Sequence, residues 1–198
     1  MLLVFCGGRS VTLRFPQNVS LGQLRVVEDV NCFTCGNGNQ ELGQARGVKT
    51  AQLPADRWFI SLTMPQQAAA LTQYLEEPTL HAIGEIVLIG SDVQDADLKH
   101  LDAIELRSID LSKTNITGEG LRYLHPHSHW IFVTLTDCPR LDPQFLAHFR
   151  GWKRSTIRVT TASYGHEPDS DRERALLAGA RHFICDDQPE QICGTQIR

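Results

Sequence analysis

Leu106-Arg-Ser-Ile-Asp-Leu-Ser-Lys-Thr-Asn-Ile-Thr-Gly-Glu-Gly-Leu-Arg-Tyr-Leu124 is one complete unit of a repeat. Twenty-three residues earlier, Ile83, Ile86, Leu88, Ser91, Val93, Leu98 and Leu101 occupy the places of Leu106, Ile109, Leu111, Thr114, Ile116, Leu121 and Leu124. Seven positions at one constant offset predict a stacked array, because a fixed period in the twenties builds a coil whose turns bury one another. Downstream, Trp130, Val133, Leu135, Cys138, Leu141, Leu146 and Phe149 continue the series with one or two residues inserted. Ile157 and Val159 then supply another strand, with Ala162 in the small-residue column. Upstream, Ile60 and Leu62 read as a strand, with Leu71 and Leu75 at the two helix positions.

Each unit joins two periodicities. Ile86 and Leu88, Ile109 and Leu111, and Val133 and Leu135 alternate, as a strand with one buried face does. Leu98 and Leu101, and Leu121 and Leu124, are three apart, as on one side of a short helix. Thr117 and Asp142 are candidate N-caps, and Pro143 suits a first helical position. Strand, turn, helix, turn and a next parallel strand make a right-handed coil.

Ser91, Thr114 and Cys138 stand where the chain leaves the strand, small groups able to bond free backbone amides of the turn. With Leu135-Thr-Asp-Cys-Pro-Arg-Leu-Asp142, they resemble the cysteine-containing, ribonuclease-inhibitor-like type of leucine-rich repeat. The 106–124 unit is similar to repeats of bacterial leucine-rich-repeat proteins, departing from them in Gly118, where Asp is usual. Phe15-Pro to Leu24, Glu41 to Gly47 and Leu53-Pro-Ala55 resemble the segment that precedes such arrays. The resemblance implies an α/β fold: a short right-handed leucine-rich-repeat solenoid with parallel strands on the concave face and short helices on the convex face. It also implies a protein-binding scaffold and carries over no catalytic residue.

Three regions follow. Residues 1–55 read as a β-rich N-terminal cap with strands at Val11–Phe15, Leu24–Glu28 and Val48–Leu53 and a Gly/Asn-rich loop at 36–43. Residues 56–165 hold the repeats, and 166–198 a capping helix (Asp171–Gly179), a short strand at His182–Cys185 and a tail.

Charged residues are 21% of the chain and the formal net charge is −4, so no polybasic footprint for nucleic acid or anionic membrane exists. Met1–Cys6 is apolar but short, with no basic residue before it, and no run reaches the roughly 20 apolar residues of a spanning helix. The expectation is a cytoplasmic protein without membrane insertion. Cys32-Phe-Thr-Cys35-Gly36 has the shape of half a zinc knuckle. No second Cys-x-x-Cys completes a four-ligand site, so neither metal nor cofactor is expected. His125-Pro-His-Ser-His129 reads as a solvated connection, and no Ser/His/Asp or paired-carboxylate motif points to an enzyme.

Strand residues between the core positions face outward. They form the columns Ser61, Val87, Asp110, Thr134, Arg158, then Thr63, Ile89, Ser112, Thr136, Thr160, and before them Glu85, Ser108, Phe132, Thr156. Val87, Ile89, Asp110, Phe132, Thr134 and Arg158 are the candidate contacts for a protein partner, because exposed aliphatics and a ring on a polar face suit a hot spot. The alternatives are a metal- or thiol-dependent module at Cys32 and Cys35 with the repeats as docking platform, or a structural subunit of a larger assembly.

Overall fold

In a computed structural model, the structure describes residues 9–28, 40–53, 58–124, 131–142, 155–159 and 182–185. Among them the strands are β1 (Arg9–Arg14), β2 (Gln23–Glu28), β3 (Gln40–Gln44), β4 (Val48–Leu53), β5 (Trp58–Thr63), β6 (Ile83–Val87), β7 (Ser108–Asp110), β8 (Ile131–Leu135), β9 (Ser155–Val159) and β10 (His182–Cys185). Between them lie 3₁₀ helices η1 (Ala69–Glu76), η2 (Pro78–Ala82), η3 (Asp95–Leu101) and η4 (Glu119–Tyr123). The class is mixed α/β.

Strands β5 to β10 lie side by side in chain order, every adjacent pair parallel. Ile86, Ile109, Val133 and Ile157 stand opposite one another across four strands. This column and the next one, Leu88, Leu111 and Leu135, are fully buried as far as β8. The alternation in sequence is therefore the alternation of a pleated strand with one face in the core. Backbone bonds carry the ladder past the strand ends, from Leu88 N–H to the Asp110 carbonyl (2.7 Å) and from Leu111 N–H to the Thr134 carbonyl (2.9 Å).

The helices are 3₁₀ turns, and the spacing of their apolar residues explains why. In a 3₁₀ helix residues three apart eclipse, so Leu98 with Leu101, and Leu121 with Leu124, all buried, share one side. In η1 the same rule selects Thr72 and Leu75, not the expected Leu71 and Leu75; Leu71 is only half-buried. Thr72 satisfies its hydroxyl by donating to the Ala69 carbonyl (2.8 Å). Helix η1 packs on η3, and η3 on η4.

Asp95, the first residue of η3, joins that helix to the next. Its carboxylate accepts from the Thr117 N–H (2.8 Å) and hydroxyl (3.0 Å), the Gly118 N–H (3.0 Å) and the Gly120 N–H (2.7 Å). Thr117 is thus not an N-cap: η4 starts at Glu119, behind Gly118 at φ 100°, and the cap comes from the unit before. A Cβ on Gly120 would sit 2.5 Å from the Asp95 carbonyl oxygen, so glycine there permits the approach. Burial alone would raise the Asp95 pKa. The hydrogen bonds from Thr117, Gly120 and Gly118 outweigh it and hold the carboxyl below its ordinary value.

The N-terminal strands pair antiparallel. β1 pairs with β4, while β2 pairs with both β5 and β3, so β2 and β3 extend the sheet that holds the parallel strands. The three strands expected before residue 55 are present. The loop expected at 36–43 gives way to β3 from Gln40, a strand with little apolar alternation because it is the sheet's exposed edge. β9 and the expected strand at 182–185 are present, whereas Pro143 and the helix expected at 171–179 lie outside the described residues. No helix among the described residues is long and apolar enough to cross a membrane.

Candidate functional site

The outward face of β6 to β8 gathers most of the predicted contact residues. Register places Glu85, Ser108, Phe132 and Thr156 in one row and Val87, Asp110, Thr134 and Arg158 in the next. The β5 assignment needs correction. Thr63, not Ser61, pairs with Val87, and Ser61 pairs with Glu85, two residues from the expected register. Leu62, not Ile60, stands opposite Ile86, so a register counted from Ile60 is two residues out. Ser61 is buried.

Exposure also differs along this face. Ile89 is 47% exposed, whereas Val87 and Phe132, both expected to be exposed, are half-buried. Phe132 also makes a contact of its own within the protein. Thr134 and Asp110 are half-buried. At the N-terminal ends of the strands the Arg107 guanidinium carbon lies 5.6 Å from the Phe59 ring centroid, within cation–π range.

A turn repeated three times ends the face. Gly90, Lys113 and Asp137 have φ of 64°, 60° and 54°, and each immediately precedes its unit's Ser91, Thr114 or Cys138. This left-handed residue turns the chain inward and leaves the preceding position, Ile89 or Ser112, at the rim of the sheet. The sequence carries glycine at only one of the three, so the motif is hard to find without the backbone. Asp110 supports its turn by accepting the Ser112 N–H (2.9 Å), and Ser112 accepts the Thr136 N–H (3.3 Å).

The small-residue column bonds a backbone carbonyl as well as the turn amides expected. The Thr114 hydroxyl donates to the Leu111 carbonyl (2.6 Å), and the Cys138 thiol donates to the same oxygen (3.3 Å). The two groups thus share one carbonyl, and the Cys138 sulfur also takes backbone hydrogen bonds from Thr114 and Lys113, amides of the turn. Burial, the largest cause, raises the Cys138 thiol pKa despite bonds from Thr114 and Lys113, so the sulfur stays protonated and able to donate. Ser91, in the same column, has a buried hydroxyl without a partner among the described residues.

Cys32, Cys35, Cys6 and Cys193 lie outside the described residues, as do the 125–129 histidines, Thr160, Ala162 and the 163–170 loop. Among the described residues no three His, Cys, Asp or Glu side chains converge as metal ligands. Comparison with protein-family models, with curated proteins and with solved structures gives no match for this chain.

Proposed function

We propose that the chain is a leucine-rich-repeat solenoid that acts as a non-enzymatic scaffold and binds a protein partner through the outward face of β6 to β9. The repeat reading is supported by the shared register of β6, β7 and β8, the left-handed residue in each of three turns, and the buried Ser91–Thr114–Cys138 column. Binding rests on one observation above all: the strand register sets a different residue type on each successive strand in a single row, Val87, Asp110, Thr134 and Arg158. Rows of this kind leave the frame constant while the surface varies, as a recognition surface requires. Neighbouring strands are about 4.8 Å apart, so the row spans under about 20 Å, within the reach of one partner segment. A cytoplasmic setting belongs to the same reading, and Cys138, a buried thiol that donates to the Leu111 carbonyl, suits a reducing compartment.

Capture from the native source with matched variants tests the reading. Val87→Thr combined with Ile89→Asp should lose a stoichiometric partner that the unmodified chain retains, with the melting temperature nearly unchanged. Lys99→Glu, on η3, should keep it. Retention by the double variant, or loss by Lys99→Glu alone, would place the contact elsewhere.

A further inference from the structure

We draw no further inference here: the strongest candidate, the basic surface of the two-stranded ribbon of β1 and β4, is divided between two faces, with Arg14 beside exposed Val48 and with Arg9 and Lys49 opposite buried Leu53 and Leu13, and nothing in the structure shows what covers the outer face.

Discussion

The units at 83–105 and 106–124 share a frame, yet they solve three local problems differently. At the left-handed turn one uses Gly90 and the other Lys113. At the helix start one supplies the Asp95 carboxylate and the other meets it with the Gly118 and Gly120 N–H groups, Gly120 also leaving room for the approach. In the small-residue column Thr114 bonds the Leu111 carbonyl, whereas Ser91 leaves a buried hydroxyl unpaired. Similar backbone with different chemistry shows that the apolar columns fix the register. The polar positions adjust each junction to its neighbour.

Where the units agree, they should lose stability together. Leu88→Ala and Leu111→Ala each delete a fully buried side chain from the inner column and should cost about 2–5 kcal/mol in a denaturant titration. A loss under about 1 kcal/mol at either site would break the equivalence of the two strands.

The helix junction is where they complement each other. Gly120→Ala forces a Cβ against the Asp95 backbone and should cost about 2 kcal/mol, with η3 and η4 pushed apart. Asp95→Ala leaves the N–H groups of Thr117, Gly118 and Gly120 without their acceptor and should cost about 1–2 kcal/mol. Because the folded pKa of Asp95 lies below the unfolded one, its stabilisation is complete above the ordinary aspartate value of about 3.9. It is lost as the pH falls through the lower, folded value. Unfolding of the native chain and of Asp95→Asn between about pH 6 and pH 2 should therefore converge at the acid end. Parallel curves would remove Asp95 from the account.

The turn should give effects of opposite sign. A Cβ on Gly90 meets nothing within 4 Å, so Gly90→Ala tests the backbone alone and should cost about 1 kcal/mol at its positive φ. Lys113→Gly relieves the same strain and should gain a few tenths of a kcal/mol, up to about 1 kcal/mol. The smallest effect lies in the column, at Ser91. Thr114→Ala should cost about 1 kcal/mol, whereas Ser91→Ala, which removes an unpartnered hydroxyl, should stay within about 0.5 kcal/mol.

The parallel ladder was legible because burial leaves its mark at every second residue, and the inner columns from Ile86 to Leu135 fall where the period puts them. What escaped lies where chemistry crosses between units or leaves no apolar trace. Asp95 caps a helix more than twenty residues away, so local inspection favours Thr117. β3 is an exposed edge whose pairing needs no hydrophobic pattern. The β5 register is ambiguous in sequence because Ile60, Leu62 and Met64 are all buried at two-residue spacing, and Leu62 is the one opposite Ile86. On the candidate face the rows from β6 to β9 were readable, but the exposure of Phe132 was not, since ring packing depends on neighbours that alternation does not specify.

Ile89, Val48 and Tyr74 are the large hydrophobic side chains exposed among the described residues, at 47%, 58% and 40%, and they sit beside β6, on β4 and on η1. They are natural reporters for hydroxyl-radical footprinting of the chain alone and in complex with its captured partner. Protein binding through the outward sheet face predicts that oxidation of Ile89 falls at least severalfold in the complex, while Val48 and Tyr74 react as before. Protection of Val48 or Tyr74 with Ile89 still reactive would contradict it.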